Sequence, residues 1–289
     1  MSIAFDSRCL LCQMKRHVAT ANRLGSEEQA MAFLRDVMQL YASAPEDAPS
    51  PWYTPHINQL LNQHYGLPID RFCQEKLDSN AFVMERMEQL RQRVFSAEDP
   101  VLAGVQYAIL GNYLDFAALQ DQVSFDTLNE MLDSALDMKL DSTVYQAFCR
   151  DLGSGKTLLY VTDNAGEIGF DRVCAEAIAA KYPHLKITFC VRGDIANNDA
   201  TRVDAAAVGV PFPVIDNGNN IPGTQLDMLS EEAEQAFKTA DVIFAKGMAN
   251  VETMLGCGLN VYYAFLIKCE RFAEQFKNPM FTPMFVKER

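Results

Sequence analysis

The chain has 289 residues, 49% hydrophobic and 22% charged, with a formal net charge of −13. That length fits one large or two unequal domains, and its longest apolar runs fall far short of a membrane span. The acidic balance excludes a sequence-independent nucleic-acid binder, which needs many Lys and Arg to neutralise phosphates, while leaving room for a small anionic ligand held by a few local cations.

The opening residues MSIAFDSRCLLC lack a basic stretch followed by a long apolar core and a cleavage site, so the expected compartment is the cytosol. Eight cysteines in a chain of this length read as thiols and not as a disulfide framework. Cys9 and Cys12 alone have suggestive spacing. Structural zinc wants four soft ligands, so two helical thiols packed in a core is the preferred reading of that pair. None of the four histidines has metal-ligand spacing, and His17 reads as a helix-surface residue. Up to about residue 150 the pattern is helical: AMAFLRDVMQLYA, HINQLLNQHYG and FVMERMEQLRQRVFSA repeat apolar residues every three or four positions. Asp99-Pro100 opens a more apolar helix, VLAGVQYAILGNYLDFAAL, expected at the centre of a helical bundle.

From Lys156 the period changes. Short apolar runs (TLLYVTD, KITFCVRG, FPVIDNG, DVIFAKG, NVYYAFLIK) alternate with amphipathic stretches such as FDRVCAEAIAAKYP and SEEAEQAFKTA. Continuously apolar strands alternating with helices predict a mostly parallel sheet sandwiched by helices, a Rossmann-like α/β fold. The expected organisation is a helical subdomain over 1–150 and an α/β domain over 151–289.

In such a sheet ligands bind beyond the carboxyl ends of the strands, so polar residues directly after a strand are the first candidates. Strand LLYVT runs into Asp163-Asn164-Ala165-Gly166-Glu167, ITFCV into Arg192-Gly193-Asp194 and then Asn198-Asp199, and VIFA into Lys246-Gly247 with Asn250 following. Asp163, Asn164 and Asp199 offer the hard oxygen donors that Mg²⁺ or Mn²⁺ prefers. Lys246 adds a compact cation before a helical stretch whose first amides could hold an anion. Each piece alone could be a helix cap or a strand-end turn. Three on successive sheet units point to a metal-and-phosphate site. Arg192 and Asn250 are further candidates for substrate oxygens. Asn112 and Asp115 share one face of an apolar helix and are assigned to the same cleft.

Several separated motifs in order, CLLC at 9–12, FCQEKLDSN at 72–80, GNYLDF at 111–116, TDNAGE at 162–167, VRGDIANNDATRVDA at 191–205, ADVIFAKGMANVET at 240–253 and FLIKCE at 265–270, resemble the damage-control phosphatases, once called the domain of unknown function 89 family, in their CxxC-containing branch. The resemblance implies a divalent metal (Mn, Mg, Co or Ni) on Asp163, Asn164 and Asp199, and a phosphate-binding Lys246. It also implies metal-dependent hydrolysis of phosphate monoesters such as sugar phosphates or damaged phosphometabolites. The chain departs from the family at Cys73, where an aromatic residue is expected, and at Asp194-Ile195-Ala196, where a glycine- or proline-containing turn is expected.

Two nucleophiles stay open: a metal-activated water with Glu167 as base or outer-shell residue, or direct attack by Asp163. Competing readings are a Rossmann-like methyltransferase or nucleotide binder, disfavoured by the lack of GxGxxG after the first strand, and a binding protein that holds metal without catalysis.

Overall fold

A computed structural model describes residues 3, 5–118 and 132–288, without the side chains of 113–118. Three helices lead: α1 (Ser7–Leu24), α2 (Glu27–Ser43) and α3 (Tyr53–Tyr65). Local chemistry sets their ends. The Asp6 carboxylate accepts from the Arg8 and Cys9 amides at the start of α1, and Ser26 and Gln29 form a reciprocal capping box on α2. Phe33, Val37, Tyr53, Ile57 and Leu61 give these helices a core of their own.

The next helices are α4 (Cys73–Glu85), α5 (Met87–Phe95), α6 (Pro100–Ala118) and α7 (Ser142–Ser154). The stretch expected as one helix over FVMERMEQLRQRVFSA is divided between α4 and α5. Arg86 leaves helical geometry there, and its guanidinium folds back over the Phe82 ring. α6, expected as the centre of a bundle, instead covers the sheet: its Val101, Val105, Ala108 and Ile109 share one core with Leu158, Tyr160, Val242 and Phe244.

The second half alternates β1 (Thr157–Val161), α8 (Glu167–Lys181), β2 (Lys186–Val191), α9 (Arg202–Ala207), β3 (Val214–Asp216), α10 (Glu231–Thr239), β4 (Val242–Lys246), α11 (Met248–Met254), β5 (Val261–Leu266), α12 (Glu270–Phe276) and β6 (Pro283–Lys287). The six strands form one sheet in the order β3-β2-β1-β4-β5-β6. All neighbours are parallel except β6, which runs antiparallel to β5. Side chains alternate between the faces. Leu158 and Tyr160 join the core under α6 and α8, whereas Leu159 and Val161 join the one formed with Phe237, Val251 and Phe272. The fold is therefore the helix-sandwiched, mostly parallel α/β sheet expected. Strand β6 was not anticipated: it is short and begins at Pro283, a residue suited to an edge where no ladder hydrogen bond is needed.

All eight cysteines are free thiols. The expectation that Cys9 and Cys12 pack in a core is corrected for Cys12, which is exposed. α1 lies at the periphery and buries fully only Ala21, while Cys9 Sγ takes a contact from Arg271 Nη1 at 3.2 Å. His17 is likewise no surface residue: it sits half-buried between Phe33 and Tyr41, with Nε2 3.2 Å from the Tyr41 hydroxyl. Among the described residues no helix is long and apolar enough to cross a membrane.

Candidate active site

From β1 the chain crosses to β2 on one side and later returns to β4 on the other, so the sheet order reverses between β1 and β4. The strand ends diverge at that point and leave a crevice. Asp163 and Asn164 follow β1 closely, and Lys246 ends β4.

A short backbone pairing draws the third strand end in. Asn164 and Asp199 form an isolated antiparallel bridge, the Ala200 amide donates to Asp163 O (2.8 Å), and the Ala165 amide donates to Asn198 O (2.9 Å). Asn197 supplies the reversal in this loop, taking a left-handed φ of 52°. An asparagine adopts that conformation more readily than most residues, which accounts for the missing glycine or proline in the Asp194-Ile195-Ala196 segment. Asp163, Asn164 and Asp199 thus lie side by side, each buried. Gly247 makes the approach of β4 possible, because its φ is 80° and a Cβ there would stand 1.9 Å from Asp163 Oδ2.

Lys246 is fully buried and wedged between two carboxylates, Glu167 and Asp171, the latter at 3.2 Å. Burial alone would lower its ammonium, but the charges of Asp171 and Glu167 outweigh it and hold the lysine above its ordinary value. Burial pushes the Asp171 carboxyl up to about 7, with Lys246 opposing and Glu167 reinforcing the shift. Asp171 Oδ1 also accepts from the Tyr160 hydroxyl at 2.9 Å, and Oδ2 has no hydrogen-bond partner. Asn112 arrives from α6: its Nδ2 donates to Asp163 Oδ2 and to Glu167 Oε2, both at 2.9 Å. The Asn164 amide spans the same two oxygens, at 2.9 and 3.1 Å. Gly111 permits this, since a Cβ there would meet Glu167 Cγ at 3.0 Å. The side chain of Asp115 lies outside the described residues.

Arg192 and Asn250 brace the loops from beneath. Arg192 Nε donates to Asp199 Oδ2 (2.7 Å) and Nη2 to Thr162 O (3.0 Å), while Nη1 is buried without a partner. Asn250 Nδ2 donates to Thr162 O (3.1 Å) and Lys246 O (2.6 Å), tying the ends of β1 and β4 together. Three residues with no role assigned from sequence complete the frame. Asn80 on α4 accepts from the Gly166 amide (2.7 Å) and donates to Asp204 Oδ1 (2.9 Å), and Lys76 pairs with Asp204 Oδ2 (2.7 Å). Lys76 and Asn80 are four apart, hence on one helical face, and that spacing within FCQEKLDSN was the available signal.

The donor chemistry fits a hard divalent cation. Four buried carboxylates (Asp163, Glu167, Asp171, Asp199) face two buried cations (Lys246, Arg192). A surplus of buried negative charge is costly unless a cation neutralises it. Among the described residues no three His, Cys, Asp or Glu side chains gather into a metal cage. The Asn164 amide oxygen would therefore have to serve beside Asp163 and Asp199, leaving positions for water or ligand oxygens.

A family profile described as the damage-control phosphatase ARMT1-like domain matches residues 5–281. The chain is 30% identical over 210 residues to a damage-control phosphatase of Archaeoglobus fulgidus, covering 71% of each chain. It is 30% identical over 213 residues to one of Pyrococcus horikoshii, covering 73% of this chain and 72% of that one. An uncharacterized protein of Methanocaldococcus jannaschii is 29% identical over 287 residues, 94% of this chain and 92% of its own. A crystal structure of a domain of unknown function 89 family protein from Pyrococcus horikoshii superposes with a TM-score of 0.83 at 24% identity, covering 99% of this chain and all of that one. With the profile spanning nearly the whole sequence and the fold shared end to end, this chain belongs to the damage-control phosphatase ARMT1-like domain family.

Proposed function

We propose that this chain is a divalent-metal-dependent phosphatase acting in the cytosol on small phosphate monoesters such as sugar phosphates or damaged phosphometabolites. The observation that carries the reading is the surplus of buried carboxylates at the sheet's switch point, beside two buried cations. The relatives named damage-control phosphatases support the reaction class. In this reading residues 1–150 furnish the walls of the cleft and residues 151–289 its reacting loops.

Asp163, Asn164 and Asp199 would hold the metal, which when bound supplies positive charge against the non-bridging phosphoryl oxygens. Arg192 keeps Asp199 oriented through its 2.7 Å contact. The Asn164 amide donates to Asp163 Oδ2 and Glu167 Oε2, so the residue that would offer its oxygen to the metal also positions these two carboxylates. Glu167, held by Asn112 and Lys246, is the carboxylate assigned to orient and deprotonate the attacking water. Water adds to phosphorus as Glu167 takes one of its protons, the bond to the ester oxygen breaks, and that proton passes to the leaving alcohol as inorganic phosphate forms. Lys246 is engaged by Glu167 and Asp171, so it contributes to phosphoryl binding through its field unless the ligand displaces Glu167.

The test is phosphate release from a panel of sugar phosphates with Mn²⁺, Mg²⁺, Co²⁺ or Ni²⁺, with Asp163→Ala as control. Release that needs metal and disappears in the variant is expected; no metal-dependent release from any substrate would overturn the proposal. Single-turnover hydrolysis in ¹⁸O water separates the two nucleophiles, because label entering the Asp163 carboxylate would replace water attack by attack of Asp163.

A further inference from the structure

A cavity of about 190 Å³ lies between α1, α3 and the loop carrying Asn197, lined among others by Arg16, His17, Thr20, Thr54, Asn58 and Arg71. At roughly 30 Å³ per water it has room for about six waters, or for one anionic group and its hydration.

Two guanidiniums, an imidazole, two hydroxyls and an amide give it the chemistry of an anion receptor. Arg71 is half-buried, with Nη2 donating to Asn58 Oδ1 at 2.8 Å and Nη1 shielded from solvent without a hydrogen-bond partner. Among the described residues neither Arg71 nor Arg16 makes an ion pair with a carboxylate, in a chain whose net charge is −13. Burial draws the Arg71 guanidinium down from its ordinary value, with Glu75 opposing. A shielded, charged N–H left unpaired is expensive, so this one calls for an acceptor, a water or an anionic oxygen. Burial, reinforced by Arg16, lowers His17 to about 4, so at neutral pH it is an uncharged partner beside the two threonine hydroxyls.

The cavity borders the loop that carries Asp199, because Asn197 forms part of its wall. Asn58, which accepts from Arg71, donates through Nδ2 to Asn197 Oδ1 at 3.0 Å. Asn197 stands two residues from Asp199, a backbone span of at most about 7 Å. We propose that this cavity is a second-anion subsite, in which Arg71 and Arg16 receive a carboxylate or phosphate group carried by the same small phosphorylated molecule whose ester lies at Asp163 and Asp199. The planar fork of Arg71 suits either group. The proposal rests on the phosphatase reading and narrows it to substrates with two anionic groups.

The test compares kcat/KM for fructose 1,6-bisphosphate with that for p-nitrophenyl phosphate, in wild type and in Arg71→Met, which keeps bulk and removes the fork. The ratio is expected to fall about tenfold or more in the variant and to recover in part in Arg71→Lys. A ratio unchanged in Arg71→Met would overturn the proposal. Calorimetric titration of fructose 1,6-bisphosphate into both proteins decides the matter independently of turnover. Binding weakened about tenfold by the substitution supports the subsite, while equal binding, or none to wild type, overturns it. Absence of hydrolysis in wild type with binding still dependent on Arg71 would sink the phosphatase reading alone.

Discussion

The loop from Ala196 to Ala200 has a polar centre on each side, and the two are built on opposite terms. At the strand ends the chain supplies its own counter-charges: Lys246 lies between Glu167 and Asp171, and Arg192 holds Asp199. Around Arg71 it supplies an amide, hydroxyls and the Phe72 ring, with the Glu75 carboxylate felt through its charge but forming no ion pair among the described residues. Charge compensated from within holds side chains in place and leaves a net demand for a cation. Charge left uncompensated in a half-open cavity advertises for an anion.

The largest effect expected is from Lys246→Met. It would strand Glu167 and Asp171 without their shared cation and cost about 3–5 kcal/mol in denaturant unfolding. A loss below about 1 kcal/mol would mean that the strand-end centre is not held by internal charge pairing. Gly247→Ala comes next. Its Cβ would fall within 1.9 Å of Asp163 Oδ2 at a φ of 80°, so Asp163 must move. We expect about 1–3 kcal/mol of destabilisation with loss of phosphate release, read by thermal melting and by assay. Retained activity would argue that the position of Asp163 does not matter. Asn80→Ala removes the acceptor for the Gly166 amide and should cost about 1–3 kcal/mol, measured in the same unfolding series.

On the cavity side the expected effects are smaller and depend on pH. His17 has a folded value of about 4 against an ordinary 6.5. The folded state therefore resists protonation that the unfolded chain accepts. Its contribution is fully present above pH 6.5 and is lost as pH falls towards 4, amounting to about 2 kcal/mol after allowing for partial exposure. His17→Phe should flatten that part of the stability profile; an unchanged slope would refute the burial of a neutral imidazole. Arg71→Met should cost about 1–2 kcal/mol in the same unfolding series, less than Lys246→Met, because it removes one charged hydrogen bond to the buried Asn58 but breaks no ion pair.

The α/β order was legible because buried parallel strands write themselves as apolar runs, and because a strand end followed by Asp-Asn, Asn-Asp or Lys-Gly is a local signal. Strand β6 escaped because five residues beginning with proline carry little periodicity. The step at Arg86 escaped because the apolar spacing continues through it. Lys76 and Asn80 were visible as a motif, but their partners Gly166 and Asp204 are far along the chain.

By itself, then, the sequence determined the order of strands β1 to β5 with their helices and which polar groups stand at the ends of β1, β2 and β4, since periodicity and strand-end chemistry are properties of neighbouring residues. Only the tertiary structure decided that α6 carries Asn112 onto Asp163 and Glu167, that Lys246 is already flanked by two carboxylates, and that Arg71 faces Asn58 beside the Asn197 loop. Charge compensation depends on separations in space, and residues tens of positions apart in the chain reveal those only once the core has packed.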